Sequence, residues 1–339
     1  MTNPSESGGP ASRHRTSGTT SARRAAPRGE TIGIDLGGTK CLGVIVDERG
    51  TVLEEHRVET PVGVDAILGV LGEVASELLA RGHDIVGVGV GAPGLVDARG
   101  ALRYAPNLPG VFELPLAGPL ADRLAVPVVV ENDASCAGWG EREAGAGRDR
   151  DDVVLVTLGT GIGAGVILGG RLFRGHHGFA GEVGHMVVDP SGPVCVCGQR
   201  GCWERFASGT GLGRLARDAA VAGRGARIVA LAGGDVDQVR GEHVTAAAAE
   251  GDADATKVMQ DFAWWVALGL ANLANAFDPE LFVLGGGLVG AGEILLAPVR
   301  RAFLELLDGA DHRPAVGIVA AELGERAGAI GAALLARPG

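Results

Sequence analysis

Two glycine-turn hairpins at one fixed spacing constrain this chain more than anything else in it. Ile34-Asp35-Leu36-Gly37 matches Val156-Thr157-Leu158-Gly159, and Gly43-Val44-Ile45 matches Gly165-Val166-Ile167, each residue lying 122 positions before its match. Glycine hairpins in a chain with 58 glycines resemble one another by chance. Agreement at both the turn and the return strand favours two copies of one supersecondary unit, one per domain. The 339 residues also suit about two domains.

The remaining periodicities fill in the class. Ile67, Val70, Leu71, Val74 and Leu78 have helical spacing over 66–81, and Gly82 stops that helix. Strands are predicted over 85–90, 127–131, 153–158 and 281–284, and helices over 134–143 and 327–335. The long helix 256–277 is apolar nearly all round, through Phe262, Trp264, Trp265, Leu268, Leu270 and Leu273, which predicts burial. Strands alternating with helices give an α/β class, and the hairpins make the sheets mixed.

Composition removes other classes. Hydrophobic residues are 46% and charged residues 21%, enough apolar material for a core. No run approaches the roughly 18 apolar residues of a membrane span. A net charge of −11 argues against a nucleic-acid partner. Residues 1–30 differ: rich in Ser, Thr, Gly, Pro and Arg, they have no apolar stretch to make a secretory signal or a core. They read as a disordered tail. Its Arg13, Arg15, Arg23, Arg24 and Arg28 suit a solvated segment better than a nucleic-acid or membrane contact.

Five cysteines are an odd number in a long chain, which disfavours a disulfide framework and suits a reducing, cytoplasmic setting. Three of them, Cys195, Cys197 and Cys202, fall within eight residues, with His185 ten residues upstream. Three thiolates and an imidazole make a closed tetrahedral zinc site, structural because no position is left open. The competing readings are three buried free thiols, or a nucleic-acid zinc finger, which the acidic chain disfavours. Glu182 and Glu204 flank these ligands. If one nitrogen of His185 binds metal, the other must carry a proton and can donate outward. Carboxylates beside an N–H donor suit a polyhydroxyl sugar; solvated loop carboxylates are the plainer alternative.

Three glycine turns remain: Gly37-Gly38-Thr39, Gly159-Thr160-Gly161 and Gly285-Gly286-Gly287. None is a Walker loop or a Rossmann fingerprint. Bare backbone N–H groups with an adjacent threonine can nonetheless surround phosphates. Asp35, before the first turn, could hold a hydrated Mg²⁺. One turn alone is an ordinary hairpin; three together point to a nucleotide cleft. Glu131-Asn132-Asp133 sits at a strand's carboxyl end, where ligands collect in α/β sheets. There Asp133 could take a proton and Asn132 could fix a substrate. Capping of the following helix explains the tripeptide equally well.

In order along the chain stand Asp-Leu-Gly-Gly-Thr-Lys, Glu-Asn-Asp-Ala, Leu-Gly-Thr-Gly-Ile-Gly, Glu-Val-Gly-His and Cys-x-Cys-Gly-x-x-Gly-Cys-x-Glu. This set resembles the ROK family of bacterial sugar kinases and sugar-responsive repressors, its glucokinases above all, from Thr31 to the C-terminus. The resemblance implies an actin-like, hexokinase-type fold of two α/β domains around a cleft. These would be a small domain over 31–137, with the helix over 327–339 packing back on it, and a large domain over 138–326 carrying the zinc loop. It implies Asp133 as catalytic base and sugar contacts from Asn132, Asp133, Glu182, His185 and Glu204. Zinc would lie on His185, Cys195, Cys197 and Cys202. ATP with Mg²⁺ would lie near Asp35, Gly37, Gly38, Thr39, Lys40, Gly159, Thr160, Gly161, Gly286 and Gly287. A cytoplasmic homo-oligomer, dimer or tetramer, is expected. The expected reaction is ATP-dependent phosphorylation of glucose at its 6-hydroxyl. The alternatives are another acceptor (fructose, mannose or N-acetylmannosamine) and a sugar sensor without catalysis. Thirty residues before the first strand cannot build a helix-turn-helix domain, which lowers the repressor reading.

Overall fold

The structure is a computed structural model that describes residues 29–106, 108 and 110–338. All but the last two residues of the expected tail lie outside the described residues. Glu30 is a correction to that tail: it begins the first strand and pairs with Ile85.

The first half runs β1 (Glu30–Leu36), β2 (Lys40–Val46), β3 (Val52–Glu59), α1 (Val64–Leu79), β4 (Ile85–Ala92), β5 (Leu95–Val96), β6 (Ala101–Tyr104), β7 (Phe112–Pro115), α2 (Ala117–Leu124), β8 (Val128–Asn132) and α3 (Asp133–Ala144). The second runs β9 (Val153–Leu158), β10 (Ile162–Leu168), β11 (Arg171–Leu172), α4 (Glu204–Ala207), α5 (Gly209–Val221), α6 (Ala226–Leu231), α7 (Gly241–Ala249), α8 (Ala253–Phe277), β12 (Leu281–Gly285), α9 (Glu293–Leu306), β13 (Gly317–Ala320) and α10 (Ala327–Leu335).

The two main sheets have orders β3-β2-β1-β4-β8 and β11-β10-β9-β12-β13. Each is an antiparallel hairpin with a third antiparallel strand on one side and two parallel strands on the other. The hairpin repeat is thus a repeat of whole sheets. Its register needs correction. Ile34 pairs with Gly43, but Val156 pairs with Ala164, so the second turn is one residue shorter. A one-residue slip sends side chains to the opposite face. Gly43 accordingly faces Val74 and Leu78 of α1, whereas Gly165 faces Gly138 of α3.

The helices exchange between sheets. α3 follows β8 of the first sheet yet packs on β9 and β10, and α10 follows β13 of the second yet packs on β1, β2 and β4. They cross at glycines: a Cβ on Gly331 would stand 1.7 Å from the Cys136 carbonyl oxygen, and one on Gly140 2.7 Å from that of Ala327. The boundary expected at 137/138 falls inside α3, the link between the two sheets. One core lies between β1–β4 and α1, with Ile32, Ile34, Leu71 and Leu78 fully buried. A larger one lies under α5–α9, around Trp203, Phe262 and Phe282. In α8, Phe262, Leu270 and Leu273 are buried as expected, but Trp264 is 39% exposed. Among the described residues the small sheet β5-β6-β7 has no counterpart in the second half.

Candidate active site

A cavity of about 810 Å³ opens between the carboxyl ends of the two sheets. Asp35, Asn132 and Asp133 line it from the first sheet, and Gly159–Gly161, Glu182, His185 and Glu204 from the second. The Gly37–Lys40 turn and Gly286–Gly287 do not line it; Gly38, Thr39 and Lys40 are exposed.

At the end of β8 the tripeptide caps the following helix and also brings Asn132 and Asp133 to the cavity lining. Asn132 is the helix N-cap: its Oδ1 accepts from Ser135 N at 2.9 Å. Its Nδ2 donates to Gly94 O at 3.1 Å and to Asp133 Oδ1 at 3.0 Å. Ala134 N also donates to Asp133 Oδ1, at 2.8 Å. One oxygen of Asp133 is therefore pinned, and the other is left to the cavity. Burial pushes the Asp133 carboxyl up to about 6; the Ala134 N–H opposes this and the Glu182 charge adds to it. Asp35 is pushed up to about 7 by burial and by the Asp133 charge, with no hydrogen bond among the described residues to offset either. A buried carboxylate open to the cavity and short of donors is a fit for a hydrated divalent cation.

The second wall is built from turns. Gly159 N donates to Gly161 O at 3.1 Å, and Gly209 N to Gly159 O at 2.7 Å. Thr210 Oγ1 donates to Thr160 O at 2.9 Å. Glu204 reaches this turn: its Oε2 accepts from Ile162 N at 3.2 Å. A Cβ on Gly161 would stand 2.3 Å from that same oxygen, so a side chain there would push the Glu204 carboxylate away from the turn. Glu182 is raised, first by burial; the charge of His185 opposes and that of Glu204 adds.

The ligand-bearing loop folds back on itself through bridges between Val187 and Cys202 and between Val194 and Arg200. Gly201, at φ 72°, allows the tight return: a Cβ there would stand 1.6 Å from Asp189 O. His185, Cys195, Cys197 and Cys202 each bring a ligand atom, all within 4.8 Å of one another. Cys197 Sγ lies 3.6 Å from Cys202 Sγ, and Cys195 Sγ 3.7 Å from His185 Nδ1. Tetrahedral zinc with Zn–S of about 2.3 Å separates its sulfurs by about 3.8 Å, so this donor set fits that ion. Burial first, and then the neighbouring thiols, push the Cys202 thiol up to about 12. Crowded thiols become thiolates together only around a cation. With Nδ1 toward the sulfurs, His185 turns Nε2 toward Glu182, 3.9 Å away.

Thr157, Thr210 and Tyr104 also line the cavity, and sequence reasoning passes over all three. Thr157 is the repeat partner of Asp35, and Thr210 sits in a second Gly-Thr-Gly over 209–211. Both signals are present in the sequence. Tyr104 comes from the small sheet, which has none.

The model of the ROK family matches residues 31–338. The chain is 44% identical over 312 residues to a glucokinase of Streptomyces coelicolor, covering 91% of this chain and 98% of that one. It is 36% identical to an N-acetylmannosamine kinase of Citrobacter koseri, covering 91% and 98%. Among solved structures, a ROK family glucokinase from Streptomyces griseus in complex with glucose and AMPPNP matches with a TM-score of 0.80. That pair is 44% identical, covering 92% of this chain and 100% of the other.

Proposed function

The chain belongs to the ROK family, and from that premise we propose that it transfers the γ-phosphoryl group of ATP to the 6-hydroxyl of glucose, a glucokinase activity. The observation that carries the reading is Asp133. One of its oxygens is fixed by Asn132 and Ala134, and the other opens into a cavity walled by Glu182, His185 and Glu204. An aspartate held so can accept the proton of an attacking hydroxyl as the phosphoryl group arrives.

Asn132, Glu182, His185 and Glu204 hold and orient the sugar. Asn132 spends its amide on Gly94 and Asp133, so its main service is to aim the base. Backbone N–H groups of the Gly159–Gly161 turn receive phosphate oxygens. Gly37–Lys40 and Gly286–Gly287, outside the cavity lining, border the nucleotide from the rim. Asp35 is the group that would hold hydrated Mg²⁺, which supplies charge neutralisation to the phosphates when bound. His185, Cys195, Cys197 and Cys202 would hold zinc, which supplies a fixed loop and a fixed imidazole tautomer. The unit built on the first sheet with α10, and the unit built on the second sheet with α3, approach each other on binding and shed water that would hydrolyse ATP. The thiols suit a cytoplasmic setting, and among the described residues no helix is long and apolar enough to cross a membrane.

The similarity to an N-acetylmannosamine kinase keeps a second acceptor in view. A panel of glucose, fructose, mannose and N-acetylmannosamine, each with ATP and with polyphosphate, separates the readings. Glucose with ATP should give the highest kcat/KM. A higher value for another sugar would replace the acceptor, and no turnover on any would leave a sugar sensor.

A further inference from the structure

Glu131 precedes the catalytic pair in sequence, yet neither the sugar nor the nucleotide reading uses it. Its side chain is only 6% exposed. A carboxylate that deep must be paired or hydrogen-bonded. It is both. Its Oε1 accepts from the backbone N of its neighbour Asn132 at 2.9 Å, and its Oε2 from Nε of Arg174. Asn132 is the residue that caps α3 and donates to Asp133. Glu131 therefore grips, from behind, the backbone that aims the base.

The other partner comes from the opposite sheet. Arg174 follows β11 by two residues and opens a loop closed by Ala180 N donating to Arg174 O at 3.1 Å. Gly181, Glu182 and His185 come next in sequence. The same loop touches the first half again, where Ala98 N donates to His177 O at 3.0 Å. A Cβ on Gly178 would stand 2.8 Å from Val96 O, so loop and strand β5 are in close backbone contact. The loop leaves the second sheet, fastens at one point on β8 of the first and at another beside β5 of the small sheet, and returns carrying Glu182 and His185.

We propose that the Glu131–Arg174 ion pair is a strap that fixes the Asn132–Asp133 corner relative to the Glu182–His185 wall. Both are positioning residues for phosphoryl transfer. The proposal rests on the reading of Asp133 as base. Arg174 is 41% exposed, so its charge can leave without opening a cavity. What is lost is the tie, and Glu131 is left a buried carboxylate with one donor. The corner and the wall then settle independently, and a displacement near 1 Å at a reacting group costs up to about 100-fold in rate.

The test uses the full chain, with kcat and both KM values for Arg174→Gln, Glu131→Gln, the double variant and Arg174→Lys. Asp133→Asn is the control. Each single variant should lower kcat about 10-fold or more and raise the glucose KM, with the ATP KM within about twofold of wild type. The double variant should be no worse than the poorer single, because one tie is cut either way. Arg174→Lys should recover part of kcat. Glu131→Gln keeps size and shape, so it reports even if Arg174→Gln folds poorly. Variants that melt earlier but keep wild-type kcat and glucose KM would make the pair a mere brace and overturn the proposal, as would additive losses in the double variant. Wild-type turnover in Asp133→Asn would overturn the base assignment, and the strap with it. An inactive Asp133→Asn beside fully active strap variants would overturn the strap alone.

Discussion

Asn132 Nδ2 lies 3.0 Å from Asp133 Oδ1 while Asn132 Oδ1 caps the helix that Asp133 begins, so one side chain sets both the helix start and the aim of the Asp133 carboxyl, the proposed base. Asp133→Asn keeps the size and the Ala134 contact but cannot accept a proton. The expected outcome is a loss of about 100-fold or more in kcat, with glucose binding largely kept. Steady-state kinetics with calorimetric glucose titration checks it, and near-wild-type turnover would refute the assignment.

The pH profile follows from the same carboxyl. Asp133, pushed up to about 6, must be ionised to act as base. Activity should therefore rise with pH through a midpoint near 6 and fall as acid protonates the group. A kcat/KM profile flat from pH 5 to 8 would contradict this.

Asp35 carries the opposite consequence for stability. Its carboxyl is held near 7 in the folded state, against about 4 unfolded. The folded state binds this proton more tightly, so the group favours folding most when both states approach protonation at low pH. That stability is lost as pH rises through 7. Asp35→Asn removes the buried charge and should raise the melting temperature at pH 7.5 by a few degrees. It should lower kcat in the same protein. A lower melting temperature at that pH would show that the Asp35 carboxylate has a partner that offsets its burial.

What the sequence discloses depends on the range of the signal. The hairpin repeat is legible because strand, turn and return strand are local, and it leads to two sheets of identical wiring. The register slip is not, because Gly43 and Gly165 look alike until their partners in α1 and α3 are known. Trp264 sits in an apolar run, and only tertiary packing decides that it faces outward while Trp265 stacks on Phe206 at 4.1 Å. The thiol cluster is legible because all its cysteines lie within one loop. The tie between Glu131 and Arg174 spans 43 residues and two sheets, and no local pattern announces it.

The crossing of α3 and α10 gives a prediction for stability. A methyl at Gly331 would meet a carbonyl oxygen of Cys136 at 1.7 Å, and that oxygen belongs to helical backbone. The helices must separate to admit it. Gly331→Ala should cost about 1–3 kcal/mol or more, since overpacking outweighs the gain in helix propensity. Gly69 on α1 is the control, because a methyl there would meet nothing within 4 Å beyond its chain neighbours, and Gly69→Ala should be neutral or slightly stabilising. Thermal denaturation of both compares them directly; equal melting temperatures would mean the crossing is looser than its geometry.

The thiol cluster and the proposed sugar wall share His185, whose Nδ1 stands 3.7 Å from Cys195 Sγ and whose Nε2 stands 3.9 Å from Glu182. Glu204 lies two residues past Cys202, and its Oε1 is 3.6 Å from Cys195 Sγ. A metal on the cluster would fix the His185 tautomer with its proton on Nε2, on the side of Glu182, and would anchor Glu204. Cys197→Ser touches none of these sugar contacts, yet it removes one ligand of four. It should lose bound zinc and raise the glucose KM strongly, with little change in ATP affinity. Zinc content by atomic absorption, with separate glucose and ATP titrations on wild type and variant, gives the answer. A variant without metal that keeps wild-type glucose affinity would reduce the cluster to a fold-holding role. A wild type that purifies without zinc and ignores chelators would remove the metal from the site altogether.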